Sequence, residues 1–311
     1  MSELIFKNYK QRCSSLGHIM TNLPVPITEE ESTELANLLE ECRSGVNENG
    51  RKTKWTDVKA SRVKSLQKKQ KGEDELPSGA KTHLDDVFRS QFWRRRRHLV
   101  NKYLDKGLRC EEDILELASQ QDGDFYLKND EHAENDYIQG CWDNYANRVR
   151  DAKANYDLKT FEEADLSSLY DWQIKGYSFI IKDTKKLKEF PEGELIYGLV
   201  NNPLHHIQNE MTRQFYANGN PDDDNEDWLE IKRQIERNHI FDIDLFKRDY
   251  PNYIFENSIW DYDIPAQFRI KKFDVITTQD DVDHIKRRVL MSRIYLCQKE
   301  QEIYSKLNAK L

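Results

Sequence analysis

The chain has 311 residues, of which 37% are hydrophobic and 11% are aromatic, and its formal net charge is −8. This composition is sufficient for a packed core, and no apolar run approaches the roughly 18 residues that a membrane-spanning helix needs. The N-terminus also lacks the apolar core of a signal peptide. We therefore expect a soluble, globular, cytoplasmic protein with no membrane partner.

The five cysteines lie at positions 13, 42, 110, 141 and 297, without a Cys-x-x-Cys pair. Their scattered positions argue against a disulfide framework and against a cysteine-bound zinc or iron-sulfur cluster. The sequence also has no glycine-rich phosphate-binding loop followed by Lys-Ser or Lys-Thr, so we expect no motor activity.

Although the net charge of the chain is negative, one stretch of it is basic. Residues 51–109 contain eighteen Lys and Arg against seven Asp and Glu, including Lys68, Lys69, Lys71 and the run Arg94, Arg95, Arg96 and Arg97. A basic stripe on an acidic protein is typical of a surface that binds a nucleic-acid backbone. The alternative is an ordinary solvated helix face.

Residues 1–75 form a polar, partly helical N-terminal extension in our interpretation. The segment 23–26 reads Leu-Pro-Val-Pro and is predicted to be extended, because residues before proline avoid the helical region. Thr28 followed by Glu31 has the spacing of a capping box and predicts the start of a helix.

From residue 76 to residue 218, the pattern predicts two helices flanking a turn at Gly107. Two strands over 136–140 and 147–154 should follow, with a turn between them. A helix that contains Tyr170 and Tyr177 comes next, and the apolar run 195–200 predicts a buried central strand.

The last stretch predicts a strand over 268–276 and a long final helix. Thr278 and Asp281 have the spacing of a capping box at the start of that helix. The complete order predicts an α/β (α+β) fold with a mixed central sheet flanked by helices. We assign residues 76–311 to this single domain.

Two carboxylates at Asp143 and Asp151 can reach one divalent cation if a tight hairpin joins their strands. An oxygen-only site of that kind suits Mg²⁺ or Mn²⁺. Lys153 lies two residues after Asp151, so both side chains project from the same face of a strand. The ammonium group would then orient water or offset phosphate charge beside the metal.

These residues and their neighbours resemble phage-type exonucleases of the PD-(D/E)xK superfamily, in particular the lambda-exonuclease and YqaJ-like families. The resemblance covers the chain from about residue 76 to its end and excludes the first 75 residues. It implies that the mixed central sheet is of the restriction-endonuclease-like type. It rests on Lys106-Gly107-Leu108, Glu111-Glu112-Asp113, residues 135–140, Asp143, Asp151-Ala152-Lys153, Thr160-Phe161, Trp172-Gln173, Gly176-Tyr177 and residues 199–203.

The resemblance implies roles for individual residues. It implies catalytic roles for Glu111, Asp143, Asp151, Lys153 and Gln173. It implies metal binding by Glu111, Asp143, Asp151 and the main-chain carbonyl of Ala152, and phosphate contacts from Ser78 and Lys81. The sequence departs from the family pattern where Trp142 replaces the proline of the signature and where the signature acid is Asp151 rather than glutamate.

The activity implied is Mg²⁺- or Mn²⁺-dependent exonuclease digestion of linear double-stranded DNA, in phage recombination or replication. The resemblance further implies a single-strand annealing partner, a ring-shaped trimer and, for a phage-encoded protein, location in the host cytoplasm. Two alternatives stay open: a structure- or site-specific endonuclease, and a catalytically idle DNA-binding or virion protein. The absence of clustered cysteines disfavours an iron-sulfur nuclease.

The pair His205-His206 follows the predicted central strand and has the chemistry of a metal ligand pair. We interpret it as an ordinary surface pair.

Overall fold

The computed structural model describes residues 4–47, 49–72, 74–96 and 101–308. None of the helices in this part of the chain has the length and hydropathy of a bilayer-spanning segment. The helices are α1 (Glu29–Ser44), α2 (Asp57–Gln70), α3 (Ser78–Gln91), α4 (Lys102–Asp122), α5 (Leu158–Glu162), α6 (Ser168–Lys185), α7 (Leu204–Ala217), α8 (Glu226–His239), α9 (Ile243–Asp249) and α10 (Gln279–Asn308). The strands are β1 (Gln11–Arg12), β2 (Ala133–Glu134), β3 (Ile138–Gly140), β4 (Asn144–Tyr145), β5 (Val149–Ala154), β6 (Gly193–Gly198) and β7 (Ile270–Val275).

The main sheet has the strand order β4-β5-β6-β7. Strands β5 and β6 are parallel, with Asp151 opposite Leu195 and Lys153 opposite Tyr197, and the two outer pairs are antiparallel. Every residue of β6 is buried, including Glu194, and its apolar run Leu195-Ile196-Tyr197 is typical of a central strand. The predicted mixed sheet flanked by helices is confirmed.

The strands predicted over 136–140 and 147–154 exist as β3 and β5, but they lie in different sheets. Strand β3 sits between β1 and β2 in a small three-stranded sheet. The short strand β4 forms the hairpin with β5 instead. The prediction missed β4 because a two-residue strand is too short to produce an alternating pattern.

The predicted turn at Gly107 is wrong, because α4 is one continuous helix through that residue. The side chain of Asn101 caps its start by accepting a hydrogen bond from the Leu104 amide at 2.8 Å. Gly123 ends it in the left-handed conformation with φ of 64°. Glycine inside a helix costs only about 1 kcal/mol, which tertiary packing readily offsets.

Residues 5–20 contribute to the main core. Phe6, Leu16 and Ile19 are fully buried there, and β1 pairs in parallel with β3. A short 3₁₀ segment, Cys13–His18, packs against α6, where Gly176 permits the close approach of Cys13 and Leu16. The predicted division at residue 75 therefore does not describe the packing of this segment.

Helices α1 and α2 form a hairpin with a small apolar cluster of its own around Leu35, Val63 and Leu66. The predicted capping box of Thr28 and Glu31 is present at the start of α1. The second predicted box is also present, since the Asp281 amide donates to Thr278 Oγ1 and the Thr278 amide donates to Asp281 Oδ2. Both helix starts were thus predictable from local sequence.

Candidate active site

The β4–β5 hairpin brings the two predicted aspartates together. Asp143 directly precedes β4, and its main-chain amide donates to the carbonyl of Arg150 at 3.1 Å. Its carboxylate Oδ2 accepts a hydrogen bond from the main-chain amide of Ala152 at 2.6 Å. This bond fixes the Asp143 side chain beside the residue that follows Asp151.

Lys153 lies on the same face of β5 as Asp151, as the strand period predicts. Its ammonium group forms an ion pair with Asp151 Oδ2 and lies 5.3 Å from the centre of the Tyr170 ring. Burial alone would lower the pKa of Lys153, but the negative charges of Asp151 and Asp143 outweigh it and raise the pKa to about 12. Lys153 is therefore an ammonium ion at neutral pH.

Gln173 reaches the strand from α6. The Gln173 side chain is only 4% exposed, and its amide nitrogen donates to Asp151 Oδ1 at 2.8 Å and to the Tyr177 hydroxyl at 2.9 Å. Helix α6 begins at the Ser167 cap, whose hydroxyl accepts from the Tyr170 amide. The helix thus holds Gln173 in a fixed orientation toward the aspartate.

The site contains more negative charge than its surroundings neutralise. Burial, followed by the nearby charge of Asp151, raises the pKa of Asp143 to about 7. Asp151 is 2% exposed, and its Oδ2 accepts no hydrogen bond from the described residues beyond its ion pair with Lys153. A divalent cation fits this environment, because Mg²⁺ binds through one or two carboxylates and retains several waters.

Glu111 is the third predicted acid and projects from α4. It lines an open cavity of about 710 Å³ together with Ala152, Lys153 and Gln173. Its Oε2 lies 3.2 Å from the ammonium group of Lys128, a partner that the sequence does not predict. The structure therefore groups the five predicted catalytic residues around β5: Glu111, Lys153 and Gln173 line the cavity, and Asp143 and Asp151 lie beside Ala152 and Lys153.

Lys106 fixes the distance between α4 and the sheet. It is fully buried, and its ammonium group donates to the carbonyls of Asn155 at 2.6 Å and Val200 at 2.7 Å, just beyond the ends of β5 and β6. Burial lowers the pKa of Lys106 to about 7. This contact positions the helix that carries Glu111 against the strand that carries Asp151.

The predicted phosphate-contacting residues lie on the surface. Ser78 and Lys81 are exposed in the first turn of α3, where Pro77 provides no side-chain cap. Arg94, Arg95 and Arg96 are exposed in a non-helical segment after α3, so the alternative of a solvated helix face is wrong for these three. Arg97 lies outside the described residues.

Sequence analysis did not predict the contacts that three aromatic residues make in the site. Tyr177 was predicted on a helix and forms part of the resemblance, and its hydroxyl accepts a hydrogen bond from Gln173. Its position four residues after Gln173 places both side chains on one helix face, a usable signal. Trp142 is buried against Tyr177, with ring centres 6.3 Å apart, and Tyr170 faces Lys153.

The surface interpretation of His205-His206 is wrong for one member of the pair. His206 is 5% exposed, whereas the side chain of His205 is 45% exposed. Both contact Asp105 on α4.

Comparison with solved structures identifies similar folds. A crystal structure of a phage-related exonuclease from Haemophilus somnus 129PT has a TM-score of 0.55 and 19% identity, covering 95% of this chain and 97% of its own. The LHK-Exo complex with dAMP has a TM-score of 0.46 and 8% identity, covering 98% and 95%. The alkaline exonuclease LHK-Exo from Laribacter hongkongensis has a TM-score of 0.44 and 7% identity, covering 76% and 89%.

No protein-family model and no curated protein matches this sequence. The TM-score and the two coverages show that the chain shares its fold with the Haemophilus protein over nearly the full length of both.

Proposed function

We propose that this protein is a metal-dependent deoxyribonuclease that digests linear double-stranded DNA from its ends. The observation that carries the proposal is the convergence of Asp143, Asp151, Lys153 and Gln173 around β5, where Lys153 and Gln173 line an open cavity. The fold shared with a phage-related exonuclease supports it. A role in phage recombination or replication follows from the same proposal.

The site residues would have separate roles in phosphodiester hydrolysis. Asp143, Asp151 and the Ala152 carbonyl would hold one or two Mg²⁺ or Mn²⁺ ions, which supply Lewis-acid stabilisation and an activated water when bound. The negative charges of Asp151 and Asp143 favour the protonated form of Lys153. As an ammonium ion it would donate hydrogen bonds to the water or to the phosphate and offset the charge that develops there.

Gln173 and Glu111 complete the assignment. Gln173 donates a hydrogen bond to Oδ1 of Asp151 and so fixes the orientation of the carboxylate. The other oxygen, Oδ2, then faces the ammonium group of Lys153. Glu111 faces the cavity from α4 and would bind a second metal or its waters. To do so, Glu111 must break its ion pair with Lys128. Both side chains are partly exposed and can therefore move apart.

The test is incubation with Mg²⁺ and end-labelled linear duplex DNA beside closed circular DNA. Loss of the linear substrate alone supports the exonuclease. Nicked or linearised circles would assign the same site to an endonuclease. Loss of neither substrate in Mg²⁺ or Mn²⁺ would contradict a nuclease and favour an idle DNA-binding protein.

A trimer, an annealing partner and location in the host cytoplasm belong to the same proposal. A ring around the duplex would make digestion processive. Light scattering of the purified chain tests the trimer directly, because the mass of one chain is 37.1 kDa. A processive enzyme should also leave a mixture of fully digested and intact duplexes when challenged with competitor DNA.

A further inference from the structure

Three side chains from two helices converge at one point away from β5. Asp105 Oδ2 lies 2.7 Å from His205 Nε2 and 2.9 Å from His206 Nε2. The three ligand atoms lie within 4.8 Å of one another, and no other group of three His, Cys, Asp or Glu residues in the described part of the chain does so. Two imidazole nitrogens and a carboxylate oxygen therefore face a common centre.

Both helices are held in place independently of this cluster. On α4, the neighbouring Lys106 is fully buried and bonded to two main-chain carbonyls. At the start of α7, Asn202 donates from its side chain to the Tyr156 carbonyl at 2.9 Å. A site built on elements fixed in this way loses little conformational freedom when a ligand binds.

The accessibility of the two imidazoles differs. His206 is nearly covered and packs against the ring of Tyr156 at 5.8 Å between centres, whereas nearly half of the His205 side chain is open. A small ion can therefore reach the centre from the His205 side. A ligand set with one buried and one accessible histidine provides both a fixed geometry and an entry path.

The donor atoms select the kind of ion. Imidazole nitrogens suit Zn²⁺ and related transition metals, while Mg²⁺ prefers oxygen ligands alone. Zinc bonds of about 2.0–2.2 Å place tetrahedral ligand atoms about 3.3–3.5 Å apart, so Asp105 Oδ2 would have to move away from each imidazole nitrogen by roughly half an ångström. Small rotations of the Asp105 and His205 side chains, both partly exposed, supply that movement.

We propose that Asp105, His205 and His206 bind one Zn²⁺ ion, with water in the fourth position, and so join the first turn of α7 to α4. This site is chemically separate from the oxygen ligands Asp143 and Asp151. Asp105 lies six residues before Glu111, about 9 Å along the helix axis. The ion would stabilise the helix that carries one wall of the candidate active site.

The alternative is that Asp105 only accepts two imidazole hydrogen bonds, in addition to the one from Arg109 Nε at 2.9 Å. A hydrogen-bonded cluster and a metal site respond differently to Asp105→Asn. Asparagine keeps an oxygen acceptor for the imidazoles but removes the negative charge that a metal ligand needs. Because asparagine has nearly the same size as aspartate, the variant distinguishes the two interpretations without leaving a cavity at position 105.

The experiment is a calorimetric titration of the tag-free, chelator-treated full chain with Zn²⁺, in Mg²⁺ at about 10 mM so that oxygen-donor sites are already filled. A parallel titration with Co²⁺ reports the ligand geometry through its visible absorption. The variants are His205→Ala and Asp105→Asn. The matched control is His132→Ala, because His132 is exposed and lies outside the cluster.

We expect one Zn²⁺ per chain in the wild type and in His132→Ala. The affinity should fall by about 100-fold or more in both variants, because His205→Ala removes a ligand and Asp105→Asn replaces an anionic ligand by a weakly binding neutral amide. The visible absorption band of four-coordinate Co²⁺ should also disappear in these two variants. Zn²⁺ binding that is absent in the wild type, or unchanged in both cluster variants, would overturn the proposal whatever the nuclease activity.

Discussion

Gln173 donates a hydrogen bond to Asp151 across the 22 residues that separate them, over 2.8 Å between Nε2 and Oδ1. A hydrogen bond to a buried charged group contributes about 1.5–3 kcal/mol. We predict that Gln173→Ala lowers the rate of DNA cleavage by about 10–100-fold, because the carboxylate is no longer held in one orientation. Single-turnover cleavage at saturating Mg²⁺ measures this change.

The matched control for Gln173 is Tyr177→Phe. This variant keeps the ring in the core and removes only the hydroxyl that accepts the other Gln173 hydrogen bond. Its cleavage rate should fall less than that of Gln173→Ala. A Gln173→Ala enzyme as fast as the wild type would show that the glutamine does not position the aspartate.

Asp143→Asn should abolish cleavage and stabilise the metal-free protein. The folded-state pKa of Asp143 is raised to about 7, so the folded chain binds more protons than the unfolded chain between about pH 4 and pH 7. Wild-type stability in a chelator should therefore fall as pH rises through this window. The variant does not show that fall, and its acceptor oxygen keeps the hydrogen bond from Ala152.

At pH 8 in chelator we expect the free energy of unfolding of Asp143→Asn to be higher by roughly 2–4 kcal/mol, because each unit by which the pKa of Asp143 is raised costs about 1.4 kcal/mol. This difference in the free energy of unfolding should vanish near pH 4. Added Mg²⁺ should stabilise the wild type more than the variant. Denaturant titrations at pH 4 and pH 8 measure the two free energies. Equal stability at pH 8 would show that Asp143 carries no burial cost.

The packing of the N-terminal segment predicts a sensitive position at Gly176. A Cβ atom there would lie 2.9 Å from Cys13 Sγ and 3.0 Å from Leu16 Cδ2. We predict that Gly176→Ala lowers the free energy of unfolding by about 1–3 kcal/mol through overpacking. Chemical denaturation measures this decrease.

Gly107→Ala is the matched control, because a Cβ at Gly107 meets nothing within 4 Å. In the middle of α4 it should stabilise by up to about 1 kcal/mol. Equal effects of the two substitutions would contradict the close approach of Cys13–His18 to α6.

Part of this architecture is visible in the sequence because it is encoded locally. The start of α1, the strand β6 and the side-by-side placement of Asp151 and Lys153 each follow from residues adjacent in the chain. The Asp143 side chain also reaches the strand of Asp151 as predicted, because a tight hairpin joins β4 to β5 and needs few residues.

The remainder depends on packing between distant segments. Residues 5–20 are polar enough to read as an extension, and only α6 and β3 reveal which of their side chains are buried. The burial of His206 likewise results from its packing against α4 and Tyr156 rather than from its own neighbours. No local pattern carries that information.

The exposed arginines after α3 test DNA binding. If Arg94, Arg95 and Arg96 bind phosphates, replacing all three with alanine should weaken binding almost equally for all sequences. The slope of log affinity against log salt should become shallower by about 0.9 for each phosphate that the variant no longer binds. Titrations at several salt concentrations with non-cleaving Ca²⁺ measure the slope, and an unchanged slope would remove these residues from the interface.

The most direct test of the proposed active site is cleavage of end-labelled linear duplex DNA in Mg²⁺ by Asp151→Asn and Lys153→Ala. We predict that each variant folds, binds DNA in Ca²⁺ and cleaves about 100-fold or more slowly, because a metal ligand or a transition-state charge is missing. Lys159→Ala, an exposed lysine on α5, should cleave like the wild type. Cleavage within a few-fold of wild type in either site variant would contradict the assignment.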